Sequence, residues 1–268
     1  MPSKSAMSKC ESINFLMMIG FRFRPTTALL CSFHAMSNNI DWEDLFGSDD
    51  DSDKEVEERE HAKPIITFEA IPGLKLIKQA LSHQEQMSLT HALIDRNFFT
   101  GNANQAMLFG ELPDFIKWVE PWISDNYPDL FGQDIMHRQP LFDQAILNMY
   151  KKGQGITSHV DLLRFEDGIL IISLMSSCVM TMRPARKDAT SYHAENTDDS
   201  EKHDILLCPG DVLALSQEAR YDWEHGIPSR LVDEIEGRSI ERGTRISVTL
   251  RKLKHGEQEM PSAATSER

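Results

Sequence analysis

Apolar and polar positions divide the chain into a helical part and a later part made of short strands. Ser82 and Glu85 have the spacing of a capping box, which satisfies the first N–H groups of a helix, so we predict a helix from there to about Arg96. A second helix is predicted over residues 114–125, where Pro121 can split it because proline removes a helix hydrogen bond. Residues 71–77 predict a turn and a short strand, and residues 98–113, rich in Gly and Asn, predict an irregular loop.

Beyond residue 143 the chain changes to short runs rich in Ile, Leu, Val and Thr, separated by turn signals. We predict strands over residues 145–150, 168–175, 178–183, 204–208, 211–216, 221–225 and 244–251. The polar residues 186–202 are expected to form an exposed loop on a long hairpin. Many short strands at close spacing favour a jelly roll over alternating strands and helices, so the predicted fold class is mainly β with flanking helices (α+β).

Composition places the chain among globular proteins, with 40% hydrophobic and 26% charged residues. The net charge of −14 is unevenly spread, because residues 41–60 hold eleven acidic residues against Lys54 and Arg59. This balance argues against a nucleic-acid binder that works through a basic stripe. The four cysteines have no CxxC spacing, which indicates free thiols in a reducing compartment. No apolar run is long enough to span a membrane.

We expect three segments along the chain. Residues 1–63 form a disordered acidic N-terminal segment, residues 64–255 form the globular domain, and residues 256–268 form a disordered tail. Residues 1–40 contain one acidic residue and four basic ones, which is typical of a mitochondrial presequence. The alternative is that Met36 is the working start and residues 1–35 are an extension. We expect a monomer of the cytoplasm and/or nucleus that does not bind membranes, with the mitochondrion as the alternative location.

His159 and Asp161 are the first candidate chemical group. On an extended segment, residues i and i+2 point to the same face, so this spacing brings an imidazole and a carboxylate to one point. Gly153 and Gly155 permit a tight turn just before them, and His225 closes a later strand. Each histidine alone is explained as well by an ion pair or by core packing. Together, two histidines and one carboxylate match the facial triad of non-haem iron(II) oxygenases.

Residues 245–251 alternate strictly between polar and apolar side chains, so that Arg245, Ser247 and Arg251 face one side. Two arginines beside hydroxyl groups would be costly inside a barrel without an anion, and an arginine fork binds a carboxylate through two parallel hydrogen bonds. A dianionic oxoacid would fit such a face. The alternative is an exposed edge strand with ordinary basic residues. Asn148 and Tyr150 alternate in the same way on another strand.

Taken together, these residues resemble the AlkB family of Fe(II)/2-oxoglutarate dioxygenases over residues 66–254, most densely over 144–251. The resemblance implies a double-stranded β-helix, which is a jelly roll. It implies that His159, Asp161 and His225 are the metal ligands and catalytic residues. For binding of 2-oxoglutarate it implies Arg245 at the distal carboxylate, Tyr150 assisting, Asn148 and Arg251 near the proximal carboxylate or the metal, and Ser247 where some members carry asparagine.

The substrate class is indicated by segments outside the triad. Residues 105–113 and 218–227 are most similar to the branch of the family that hydroxylates modified wobble uridines in transfer RNA, and residues 240–245 also fit. Repair members of the family flip a damaged base into the pocket and stack it on aromatic side chains. Aromatic residues at such spacing more often belong to a core, but the candidates for stacking are Phe98, Phe99, Phe109, Tyr221 and Trp223.

The resemblance therefore predicts an enzyme that hydroxylates or oxidatively demethylates RNA or other alkylated nucleic acid and produces succinate and carbon dioxide. Its cofactor would be Fe(II), with 2-oxoglutarate and O2 as co-substrates. Two alternatives stay open. One is an AlkB-like hydroxylase of protein, because fold and cofactor do not fix the substrate. The other is a catalytically inactive jelly-roll binding module, against which the complete set of ligand and arginine residues argues.

Overall fold

Short antiparallel strands make up most of the structure, which is a computed structural model describing residues 62–101, 103–185 and 201–257. In chain order the strands are β1 (Ile65–Thr67), β2 (Leu74–Ile77), β3 (Gln105–Phe109), β4 (Gln144–Tyr150), β5 (Ile156–His159), β6 (Ile169–Leu174), β7 (Cys178–Pro184), β8 (His203–Leu207), β9 (Val212–Leu215), β10 (Trp223–Ile227), β11 (Val232–Ile235), β12 (Arg238–Glu241) and β13 (Arg245–Arg251). The helices are α1 (His83–Asp95), α2 (Asp114–Lys117), α3 (Val119–Asn126), α4 (Gln133–Met136) and α5 (Gln217–Tyr221).

The strands form two main sheets. The larger has seven strands in the order β1-β2-β9-β6-β13-β4-β3, the smaller has four in the order β5-β10-β7-β8, and β11 and β12 form a separate hairpin. Neighbouring strands pair antiparallel throughout both main sheets. Side chains from the two sheets share one core cluster, so the sheets pack face to face. The predicted fold class, a jelly roll with flanking helices, is confirmed.

At β6 both faces of the larger sheet are buried, which explains the almost unbroken apolar sequence of this strand. On one face, Leu170 of β6 belongs to the same cluster as Leu93 of α1 and Ile123 of α3. On the other face, Ile171 of β6 belongs to the same cluster as Met180 of β7. Because successive residues of a strand point to opposite faces, neighbouring residues of β6 stabilise two different layers. Helices α1 to α4, the larger sheet and the smaller sheet are thus stacked in that order, whereas α5 contributes Ala219 to the cluster that the two sheets share.

The helices begin as predicted but break at a different residue. The Ser82 hydroxyl accepts from the Glu85 N–H and the Glu85 carboxylate accepts from the Ser82 N–H, which is the predicted capping box of α1. The predicted second helix is divided into α2 and α3 at Trp118 rather than at Pro121. Pro121 lies in the first turn of α3. The N–H groups of a first turn have no partner inside the helix, so the missing N–H of proline costs no helix hydrogen bond there.

Two segments differ from their predicted secondary structure. Residues 105–109, expected to be part of an irregular loop, form β3, because they pair as an edge strand with residues 144–148 of β4. Residues 217–221 form α5, so the alternation predicted for Tyr221, Trp223 and His225 begins only at Trp223. In both cases the outcome depends on a partner that is distant in sequence, which a local pattern does not reveal.

Some predictions fall on residues that the structure does not describe. Strands β7 and β8 form the predicted long hairpin, but residues 186–200 of its loop lie outside the described residues. Residues 1–61 and 258–268 also lie outside them, so the proposed N-terminal segment and tail stay predictions. Within the described part of the chain, no helix is long and apolar enough to cross a membrane.

Gly155 determines how closely the chain can approach β10 just before it enters β5. A Cβ atom at Gly155 would lie 2.0 Å from the carbonyl oxygen of Ile227, at the end of β10. Two residues earlier, Gly153 has a φ of +85°, in the left-handed region that favours glycine. The chain therefore turns at Gly153 and passes against the β10 backbone at Gly155, as the two glycines predicted.

Substitution of Gly155 tests this close approach. Gly155→Ala is expected to lower the free energy of unfolding by about 1–3 kcal/mol or more, because the added methyl group overlaps a backbone carbonyl. Gly243→Ala is the matched control, since the nearest atom to a Cβ there is the Ser176 hydroxyl oxygen at 3.2 Å, which belongs to a side chain and not to the backbone. Urea unfolding followed by circular dichroism measures both variants. Unchanged stability of Gly155→Ala would contradict the described packing of β5 on β10.

Candidate metal centre

Strand pairing brings the predicted ligands together. His159 ends β5 and His225 lies in β10, and the two are direct partners in this antiparallel pair. Their ring centroids are 4.5 Å apart. Asp161 follows two residues after His159, and the candidate ligand atoms of all three side chains lie within 4.8 Å of one another. The geometry is therefore that of a group that can hold a single metal ion.

The His159 ring is oriented for metal binding by its own strand. Its Nδ1 lies 2.9 Å from the carbonyl oxygen of Thr157. A carbonyl can only accept, so Nδ1 carries the proton and the neutral ring keeps a lone pair on Nε2. Metal-bound histidines commonly hold their second ring nitrogen in this way. The neighbouring Asp161 carboxylate raises the pKa of His159, so that a proton and a metal ion compete for Nε2.

The Asp161 carboxylate is buried, with 8% of the residue exposed. Its Oδ1 accepts a hydrogen bond from Arg251 Nη1 at 3.3 Å and lies 3.6 Å from His159 Nε2. Burial acts to raise the pKa of Asp161, but His159 and Arg251 lower it more, and the pKa falls well below the usual carboxyl range. Asp161 is thus charged at neutral pH. Its Oδ2 is buried and has no hydrogen-bond partner among the described residues.

His225 completes the group as a neutral imidazole. The residue is 7% exposed, and burial lowers its pKa to about 4. The ring is therefore uncharged at physiological pH, which is the form that donates a lone pair to a metal.

Arg245 is the candidate group for binding a carboxylate in the pocket that contains the triad. It is 4% exposed, and its Nε donates to Ser173 Oγ of β6 at 3.0 Å. Its partner across the β4–β13 pair is Tyr150, whose ring centre lies 5.6 Å from the guanidinium carbon. Burial raises the pKa of Tyr150, so the phenol keeps its proton and can donate it in a hydrogen bond. Arg245 Nη2 is buried without a hydrogen-bond partner among the described residues, and a carboxylate would satisfy it.

Asn148 and Ser247 line the same pocket as the triad and Arg245. Asn148 Oδ1 accepts from the side chain of Gln105 at 2.7 Å, across the β3–β4 pair. Ser247 is 3% exposed, pairs with Asn148 across β4 and β13, and lies close enough to the Tyr150 hydroxyl to lower its pKa. The structure therefore places both residues in the pocket that contains the triad and Arg245.

Arg251 lies on the metal side of the pocket. Its Nε donates to Gln144 Oε1 at 2.6 Å and its Nη1 to Asp161. Strand β13 is not an exposed edge strand, because it lies between β6 and β4 and all seven of its residues are buried. Of the two locations predicted for Arg251, its contact with Asp161 favours the one near the metal.

Sequence reasoning missed several parts of this pocket. Gln105, Gln144 and Ser173 each hold a predicted residue in place, but a lone Gln or Ser in a strand has no recognisable pattern. The apolar side chains of the wall resemble ordinary core residues, and they are Ile146, Ile156, Ile171, Met180 and Ile227. The aromatic residues predicted for base stacking are not among the described residues that line the pocket. Phe98, Phe99 and Trp223 pack against the core clusters instead.

Two orphaned atoms show which kind of group fits the pocket. Asp161 Oδ2 needs a cation or a donor, Arg245 Nη2 needs an acceptor, and neither satisfies the other. A buried polar atom without a partner costs about 1–3 kcal/mol. A divalent metal ion beside Asp161 and an oxoacid whose far carboxylate reaches Arg245 would satisfy both atoms at once. The residues therefore fit iron(II) and 2-oxoglutarate.

A jelly roll that holds two histidines and a carboxylate at one point defines the class of non-haem iron(II) oxygenases. Comparison with protein families agrees, because the family described as the 2OG-Fe(II) oxygenase superfamily matches residues 67–251. That match spans more than half of the chain, and the chain belongs to this superfamily.

Individual relatives confirm the resemblance to AlkB-type oxygenases. An Arabidopsis thaliana protein named alkylated DNA repair protein ALKBH8 homolog is 29% identical over 213 residues, which cover 69% of this chain and 59% of the relative. The Macaca fascicularis tRNA (carboxymethyluridine(34)-5-O)-methyltransferase ALKBH8 is 26% identical over 227 residues, which cover 68% of this chain and 31% of the relative. This chain thus spans between about a third and three fifths of their length. The solved structure of OsALKBH1 aligns with 70% of this chain and 100% of its own, at 14% identity and a TM-score of 0.48.

Loss of the Arg245 guanidinium tests the oxoacid half of the pocket. Arg245→Met is expected to weaken binding of 2-oxoglutarate about 10–100-fold, because a hydrogen bond to a charged group contributes about 1.5–3 kcal/mol. Isothermal titration of the Mn(II)-loaded protein with 2-oxoglutarate measures this without turnover. Affinity for Mn(II) alone should not change, since Arg245 is not a candidate ligand. An unchanged affinity for 2-oxoglutarate would place its carboxylate elsewhere.

Proposed function

We propose that this protein is an iron(II)- and 2-oxoglutarate-dependent dioxygenase that hydroxylates or oxidatively demethylates RNA, with transfer RNA as the first candidate. The observation that carries the proposal is one pocket containing the His159, Asp161 and His225 group together with the buried, unsatisfied donor of Arg245. Binding of iron(II) together with an oxoacid requires a cation site and an anion site in the same cavity, and this pocket supplies both.

Each group of the pocket has a defined task in this proposal. When bound, iron(II) with 2-oxoglutarate and dioxygen supplies oxidation of a substrate C–H bond, with succinate and carbon dioxide as co-products. His159, Asp161 and His225 would hold the metal ion, and Arg245 would hold the distal carboxylate of 2-oxoglutarate with help from Tyr150. The apolar wall formed by β4–β7 and β10 would keep bulk water out. If the oxidised group is an N-methyl group, the hydroxylated product breaks down to the free amine and formaldehyde.

The proposal of an RNA substrate is supported by the names of the relatives. The macaque relative is named as a methyltransferase of a modified uridine in transfer RNA, and the Arabidopsis relative as an alkylated DNA repair protein. This chain matches only part of either protein, so a shared substrate is an inference from the shared domain.

The charge of the chain favours a second candidate, hydroxylation of a protein side chain. The described residues hold 24 acidic and 19 basic residues, so the domain does not attract phosphate groups by its net charge. A protein substrate would need no such attraction. RNA recognition would instead depend on local contacts around the pocket.

Succinate formation in the presence and absence of RNA separates these candidates. We expect the full-length protein with Fe(II), 2-oxoglutarate and total transfer RNA to form succinate faster than the same mixture without RNA. His159→Ala should abolish the stimulated reaction, whereas His137→Ala, which removes an exposed histidine outside the pocket, should not affect it. Mass spectrometry of the nucleosides identifies the changed base, and released formaldehyde distinguishes demethylation from stable hydroxylation.

The other outcomes are equally informative. Turnover that RNA does not stimulate, with no change in any nucleoside, would contradict the RNA proposal and favour a protein substrate. Absence of turnover in protein that demonstrably binds iron would favour the binding module. Succinate formation that persists in His159→Ala would contradict the assignment of the metal ligand.

A further inference from the structure

Arg220 is the most deeply buried charged side chain near the candidate metal centre, and the function proposed above does not use it. It is 1% exposed and lies in α5, five residues before His225. It does not line the pocket itself. A buried guanidinium so close to the site needs a physical explanation, because burial of a charge is costly unless its donors are satisfied.

The hydrogen bonds of Arg220 all go to one short segment of backbone. Its Nη1 donates to the carbonyl oxygen of Asp161 at 2.9 Å, and its Nη2 donates to those of Leu162 at 2.8 Å and Phe165 at 3.2 Å. Residues 161–164 belong to no helix or strand, so strand pairing does not satisfy the carbonyl groups of Asp161 and Leu162. One guanidinium therefore anchors the turn that begins at the candidate ligand Asp161.

Arg251 holds the same turn from the other side. Its guanidinium carbon lies 3.9 Å from the centre of the Phe165 ring, and its Nη1 donates to Asp161 Oδ1 at 3.3 Å. Arg251 thus contacts the side chains of the turn, whereas Arg220 contacts its backbone. The two arginines fix the carboxylate and the main chain that carries it independently.

Apolar packing contributes little to the tip of this turn. Leu162 and Leu163 are 64% and 66% exposed, so neither side chain buries enough surface to hold the segment. Segments with few buried apolar contacts are the ones that open locally at low cost. Without Arg220, the backbone of the turn would be anchored at its two ends, by the pairing of β5 with β10 before Asp161 and by the bridge between Phe165 and Leu253 after it.

We infer that Arg220 is a positioning residue for the metal centre. It acts through the carbonyl groups of residues 161, 162 and 165 to fix the direction of the Asp161 carboxylate. Because Arg220 precedes His225 on the same short segment, it also links the turn that carries one ligand to the strand that carries another. The inference rests on the proposed metal-binding function of His159, Asp161 and His225.

Cobalt(II) titration of the full-length, metal-free protein tests this role without catalysis. Arg220→Met removes all three hydrogen bonds, and Arg220→Lys keeps the charge but cannot reach three carbonyl groups at once. Loss of a group that orients a ligand commonly weakens metal binding about 10–100-fold, so we expect a loss of that size for Arg220→Met and a smaller loss for Arg220→Lys. The visible absorption band of bound Co(II), which reports the arrangement of its ligands, should change in both variants.

Arg138→Met is the matched control. Arg138 donates to the carbonyl oxygen of Asp167 at 2.7 Å, two residues beyond the turn, and not to a carbonyl group of residues 161–165. This variant loses the same kind of bond and should keep the Co(II) affinity and spectrum of the wild-type protein. A melting curve of each variant separates a loss of stability from a loss of metal affinity.

The outcomes distinguish this inference from the function on which it rests. A folded Arg220→Met or Arg220→Lys protein with the Co(II) affinity and spectrum of the wild type overturns the positioning role, even if its melting temperature falls. Should Arg220→Met fail to fold, Arg220→Lys decides the question alone. A wild-type protein that does not bind Co(II) would contradict the metal centre itself and, with it, both inferences.

Discussion

The buried carboxylate of Asp161 is the group around which the rest of the site is arranged. Its Oδ1 is held by Arg251 and lies near His159, its backbone is held by Arg220, and its Oδ2 has no partner among the described residues. A buried charge is stable only when it is paired. Because Arg251 pairs with Oδ1 alone, Oδ2 is the atom that remains to bind a cation. The pairing of β5 with β10 then places His225 where the same cation would meet it.

The layered fold explains how so many polar groups can lie inside the protein. Strand β13 is central in the larger sheet, and its apolar residues pack beneath the helices while its polar residues face the smaller sheet. The apolar face stabilises the strand, and the polar face is free to serve the pocket. In this jelly roll, one side of β13 therefore stabilises the fold and the other side supplies residues to the pocket.

The sequence revealed those parts of the site that follow a local rule. Alternation in residues 245–251 predicts which side chains share a face, because it depends on the period of an extended strand. The His-x-Asp spacing also predicts two neighbouring side chains, and these do meet, although Asp161 lies two residues beyond the end of β5. The edge strand β3 and the helix α5 were not predicted, since each depends on partners far away in the sequence. The hydrogen bonds of Arg220 to backbone carbonyl groups could not be predicted either. Every residue carries a carbonyl group, so no residue type in the sequence marks the acceptors.

The central claim is that one pocket holds a metal ion at His159, Asp161 and His225 and the far carboxylate of 2-oxoglutarate at Arg245. A crystal structure of the protein with Mn(II) and 2-oxoglutarate tests it most directly. The account predicts a metal ion bound by both histidines and by Asp161 Oδ2, with a carboxylate of 2-oxoglutarate accepting from Arg245 Nη2. A metal ion bound elsewhere, or 2-oxoglutarate bound away from Arg245, would contradict it.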